Sequence, residues 1–196
     1  MPSELDKTDI LRRLDALAAP ARRDLYDVLL VRGDLSSTEL RRLVPEAKTS
    51  LSYELGRLQD AGLIVLVEHE GRRKVWRAVA MTITWDDALR SDPDLVRALN
   101  NFERVATTRR AERMHRWLQE KMSATWESQW LDSAMSTDFL LQLTAEELGE
   151  LDEAVFAAVD AVRQRSQARR EAGVTDGQNP IFVCAMAFPF DPAARD

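Results

Sequence analysis

At 196 residues, 45% apolar and 31% charged, the chain can bury one generous core or two small ones, and its few Gly and Pro point to a globular, helix-rich protein. A net charge of −6 excludes an all-over basic footprint, but residues 1–80 hold 14 Lys and Arg against 13 Asp and Glu, while residues 81–196 hold 13 against 20. No apolar run approaches the ~18 residues of a membrane span, and the polar stretch from Met1 to Ile10 does not read as a secretory signal.

The first predicted helix runs from Leu5 to Leu17, with Leu or Ile at 10, 11, 14 and 17 along one stripe. Pro20 suits the first turn of a second helix, which reaches about Val31, buries Leu25, Val28 and Leu29, and stops at Gly33. Ser36 with Glu39 three residues later is a capping box that opens a short helix to Leu43, ended by Pro45. After a short turn another helix begins near Lys48 or Thr49 and runs to Ala61, closed by Gly62. Two β-prone runs follow, 63–67 and 75–79, around the polar, basic stretch 68–74.

Helix, short turn, helix and basic hairpin in this order predict a winged helix-turn-helix unit over residues 1–85. The fold class expected for the whole chain is mainly α with a small β-wing. Residues 86–196 are read as a helical region with one or two short strands. There a long helix starts at Asp92-Pro93 and reaches about Met122, with Leu95, Leu99, Phe102, Ala106, Met114 and Leu118 in one stripe. Trp126 and Trp130 fall in a shorter helix. Thr144 and Glu147 form a second capping box, behind which Leu148, Leu151, Val155, Val159 and Val162 are expected to be buried. The apolar runs 139–143 and 180–190 are candidates to pair as strands.

At ~100° per residue, Leu51, Leu55 and Leu58 converge on a core face, so Thr49, Ser52, Tyr53, Gly56 and Arg57 point outward. A helix in a DNA major groove needs short polar groups for base edges and a cation for phosphate, and its N-terminus, here beside Lys48, favours phosphate. The wing cations Arg72, Arg73 and Lys74 suit a phosphate or minor-groove contact. The candidate DNA-binding residues are therefore Ser37, Thr38, Lys48, Thr49, Ser50, Ser52, Tyr53, Arg57, Arg72, Arg73 and Lys74. The same residues also suit a merely solvated face, and their combination is what favours double-stranded DNA.

The stretch Ala16-Leu17-Ala18-Ala19-Pro20-Ala21-Arg22-Arg23 resembles the opening of ArsR-family regulators. So do the run from Ser52 to Ile64 and the wing Gly71-Arg72-Arg73-Lys74-Val75-Trp76. The resemblance covers about residues 10–80 and implies a homodimeric transcription regulator, often a repressor released by a ligand. Glu54 stands where that family usually has His. It could accept a hydrogen bond from cytosine or stay at the rim and repel phosphate.

The family's metal chemistry is not expected here, since residues 35–44 lack cysteine and the chain holds one Cys and two His, His69 and His115. Cys184, in an apolar run, reads as a buried inert thiol, and a single cysteine fits a reducing cytoplasm. No phosphate-cradling loop, nucleophile elbow or paired-histidine motif appears, so neither an enzyme nor a cofactor is expected. The second half is read as the dimerisation region, with room for a small-molecule effector of unknown identity. Trp117, Trp126 and Trp130 are read as core or interface, or else as the lining of an effector pocket. The rival class is a winged-helix protein-interaction module without DNA binding.

Overall fold

The computed structural model describes residues 6–67, 74–79, 91–123, 125–174 and 176–191. Helix α1 (Lys7–Leu17) is opened by the Asp6 carboxylate, which accepts the Asp9 N–H at 2.8 Å. Its apolar stripe buries Ile10, Leu14 and Leu17. Helix α2 (Pro20–Arg32) begins on the proline and buries Leu25, Tyr26 and Leu29. It ends at Gly33, whose φ of +80° is a conformation that a side chain would strain. Helix α3 (Ser37–Leu43) carries the expected capping box, Glu39 N–H to Ser36 Oγ at 3.3 Å and Ser36 N–H to Glu39 Oε2 at 2.8 Å.

Val44 is extended before Pro45 (φ −126°, ψ 76°), and a 3-10 turn, Pro45–Ala47, leads toward α4 (Leu51–Asp60). The helix thus starts two or three residues later than its sequence suggests, leaving Lys48, Thr49 and Ser50 in the turn. Strands β2 (Ile64–Val67) and β3 (Val75–Ala78) pair antiparallel, Ile64 opposite Ala78 and Val67 opposite Val75. A two-residue strand β1 (Leu35–Ser36), too short to leave a sequence signal, pairs with β3 and gives the sheet order β1-β3-β2. Leu25, Leu29, Leu40, Leu51, Leu55, Leu58, Leu63 and Trp76 form one core under these elements. The protein is therefore mainly helical with a small antiparallel three-stranded sheet.

Helix α5 (Pro93–Glu120) lays Leu95 and Ala98 against Ile10 and Leu14 of α1. Only the first half of its predicted stripe is covered. Leu95 and Ala106 are buried and Leu99 and Phe102 partly so, but Met114 and Leu118 are exposed. Length explains this: α1 has 11 residues, about 16 Å, and α5 has 28, about 42 Å at ~1.5 Å per residue. Because α5 packs on α1, residues Met1–Thr125 form one compact unit, past the expected boundary at 85, and Trp126–Asp196 form a second.

Ion pairs join α5 to α2: Arg109 to Asp24 and Arg113 to Asp27, the latter also bound by Arg23, whose guanidinium lies 5.5 Å from the Phe102 ring centroid. Burial pushes the Asp24 carboxyl above its ordinary value of 3.8, against the opposing pull of Arg109. A raised folded-state value means that protonation favours the fold, so this contribution is full below the ordinary value and lost as pH rises through the shifted one. An Asp24→Asn variant cannot titrate. Its stability relative to the parent chain should climb as pH rises above the ordinary carboxyl value, read from urea midpoints, and a flat difference would contradict the shift.

The second unit departs most from expectation. Helix α6 (Ser128–Ser133) follows Trp126, and α7 (Ala145–Glu171) is opened by the expected Thr144–Glu147 capping box. Yet α7 buries none of its residues: Leu148, Leu151, Val155 and Val159 are half-exposed and Val162 is 53% exposed. Residues 134–144 and 178–191 form no strand, so the expected pairing of 139–143 with 180–190 is absent, and Cys184 is exposed rather than buried. Two helices and two unladdered stretches make no complete second layer, and the apolar stripe is covered only in part. No helix among the described residues is long and apolar enough to cross a membrane.

Candidate nucleic-acid interface

Leu40 on α3 and Leu51, Leu55 and Leu58 on α4 anchor the two helices to the core, which fixes what each presents outward. On α4 the outward residues are Ser52, Tyr53 and Arg57, with Tyr53 63% exposed and Gly56 half-buried. Lys48 and Thr49, exposed in the turn, sit directly before them. No side chain caps the start of α4, because the Ser50 hydroxyl turns to Glu54 Oε1 at 3.2 Å. The first backbone N–H groups of a helix have no partner within it, so this end is an attractive place for an anion.

Ser37 and Ser50 differ from the other candidates among the described residues: both are half-buried. Ser37 Oγ accepts the Trp76 indole N–H at 3.0 Å and its backbone N–H donates to the Lys74 carbonyl at 3.3 Å. Its work is to join α3 to β3, which also brings Lys74 beside the start of α3. Thr38 and Lys74 are exposed. Arg72, Arg73 and His69 lie outside the described residues. Arg77 is engaged by Asp34 through two bonds, Nε to Oδ1 at 2.7 Å and Nη2 to Oδ2 at 2.6 Å.

Glu54 neither faces outward nor sits at a rim. Its carboxylate accepts Arg22 Nη1 at 3.1 Å, and the two side chains are 14% and 15% exposed respectively. Arg22 also donates to the α1 carbonyls of Ala16 (2.6 Å) and Asp15 (3.2 Å). The acid that breaks the family pattern is therefore neutralised inside the protein, and it adds little repulsion to the exposed face.

Two cations were missed by sequence reasoning. Arg41 and Arg42, in the last turn of α3, are exposed. Along with Lys48 and Arg57 they form no ion pair among the described residues. The signal was present: once Leu40 is assigned to the core, residues one and two positions later on a helix must turn outward. His115 on α5 lies 3.0 Å from Gln119, and among the described residues no group of three or more His, Cys, Asp or Glu could hold a metal ion. Trp117, Trp126 and Trp130 are each half-exposed. No family model matches the chain, and no curated protein matches it.

Proposed function

We propose that the chain is a DNA-binding transcription regulator of the winged helix-turn-helix type, similar to the ArsR family, acting as a homodimeric repressor on operator DNA. In this reading α4 enters the major groove, α3 crosses the phosphate backbone, and β2–β3 form the wing. The observation that carries it is the outward face of α4, where Ser52, Tyr53 and Arg57 stand exposed opposite a fully buried Leu51-Leu55-Leu58 face. The exposed Arg41 and Arg42 on α3 and Lys48 in the turn before α4 support it. They supply positive charge with no internal partner among the described residues.

Ser52 and Tyr53 are assigned to base edges and the cations to phosphates. Selecting bound sequences from random DNA with the purified protein tests this. A consensus site should emerge, and Ser52→Ala or Tyr53→Ala should change the preferred bases at one or two positions, each worth about 1–3 kcal/mol of discrimination. A selection that enriches nothing in low salt, with the protein co-purifying in a stable heteromeric complex, would instead favour the protein-interaction module.

A further inference from the structure

We infer that the second unit is completed by a second copy of the same chain, the two α7 helices packing antiparallel about a two-fold axis near Ala157. This deepens the homodimer part of the proposed function by assigning the surface, and it does not depend on DNA binding.

The unit is unfinished by itself. Helix α7 has 27 residues and buries none, and Phe139, Leu140, Ile181, Phe188 and Phe190 stand exposed on stretches whose backbones form no ladder. Exposed apolar surface on this scale normally marks an interface. What identifies the occupant is the symmetry of α7. At ~100° per residue, Leu148, Leu151, Val155, Val159 and Val162 fall within an arc of about 80°, a stripe suited to a second helix. The stripe is nearly symmetric about Ala157: Leu151 and Val162, and Val155 and Val159, lie at similar distances on either side.

The charges obey the same symmetry. Residues 145–158 carry five acids and no base, and residues 159–171 carry four arginines against two acids. Glu147 and Arg165 lie 18 residues, about five full turns, apart and so share one flank of the stripe. Asp152 and Arg163 share the other, within about 20°. In an antiparallel two-fold pair each flank meets its own copy. Glu147, one of whose oxygens caps the helix at Thr144, then faces the partner's Arg165 with the other, and Asp152 faces the partner's Arg163, whose own helix also offers it Asp160. A parallel pair would set acid against acid. An unrelated protein would have to reproduce this pattern, whereas a second copy supplies it automatically. The unladdered stretches 139–143 and 181–190 give each copy further edges for the other to cover.

The test is the mass in solution of full-length chains, by sedimentation or light scattering, without DNA. The wild-type chain should be a dimer. Arg163→Glu with Arg165→Glu makes both flanks mainly acidic, with Arg170 the base that remains, and Glu147→Arg with Asp152→Arg makes them basic while also removing the Thr144–Glu147 cap. Each variant alone should dimerise about a hundredfold more weakly, because four attractive pairs become repulsive. An equimolar mixture of the two should recover a dimer holding one of each, and this recovery also shows that both variants are folded. A monomeric wild type, or single variants as dimeric as the parent, would overturn the inference. The latter result would point instead to the exposed Met114 and Leu118 of α5. A dimer that follows the charge swap yet binds no DNA would leave this inference standing and remove the proposed function.

Discussion

Replacing Arg22 with Ala is expected to lower the unfolding free energy of the first unit by about 3 kcal/mol, measured by urea denaturation near neutral pH. The guanidinium holds three acceptors at once, the Ala16 and Asp15 carbonyls at the end of α1 and the Glu54 carboxylate on α4. Removing one partner of a buried ion pair costs about 3–5 kcal/mol, since the remaining charge stays desolvated. Here both side chains keep about one-seventh of their exposure, which places the expectation at the lower end of that range. Arg22→Lys should recover less than half of the loss, because a single ammonium cannot reach three acceptors in a fixed fork. Glu54→Gln, which keeps an acceptor and removes the charge, should cost about 1 kcal/mol. A loss below about 1 kcal/mol for Arg22→Ala would show that the three bonds contribute little net stability.

That junction also shows which parts of the molecule were legible beforehand. Local rules reached the helices of the first unit. Pro20, the Ser36–Glu39 box, Pro45 and the positive-φ Gly33 and Gly62 are short-range devices, and the Leu51-Leu55-Leu58 face follows from helical period alone. What escaped depends on distant residues. Glu54 looked like an outward acid because its partner Arg22 lies 32 positions away. Ser37 looked available to DNA because the Trp76 indole that it accepts lies 39 positions on. The apolar stripe of α7 was visible, but periodicity states only that a face is apolar and not which surface covers it. Leu148, Leu151, Val155 and Val159 were expected to be buried and are only half-buried, while Val162 and the run 180–190, expected to pair with 139–143, are exposed.

Neutralising Arg41, Arg42, Lys48 and Arg57 together with alanine should weaken DNA binding by about 100- to 1000-fold at ~0.1 M salt and lower the salt slope by nearly 4 per protomer. Each phosphate contact releases counterions and contributes about 0.9 to that slope on duplex DNA, so four cations in contact would account for nearly 4. The overall charge of −6 is no obstacle, because screening confines each charge to about 8 Å at physiological ionic strength. Arg22, Arg77 and Arg109 contribute little, being already matched by Glu54, Asp34 and Asp24. The control is Arg116→Ala on α5, an exposed cation remote in sequence from the candidate face, which should change neither quantity appreciably. The quadruple variant should keep the parent's base preference while binding every sequence more weakly, the opposite of Ser52→Ala. Fold should persist, since all four side chains are exposed and outside the core. Were the slope unchanged in the quadruple variant and reduced by Arg116→Ala, the phosphate-facing surface would have to be moved from α3 and α4 to the long helix.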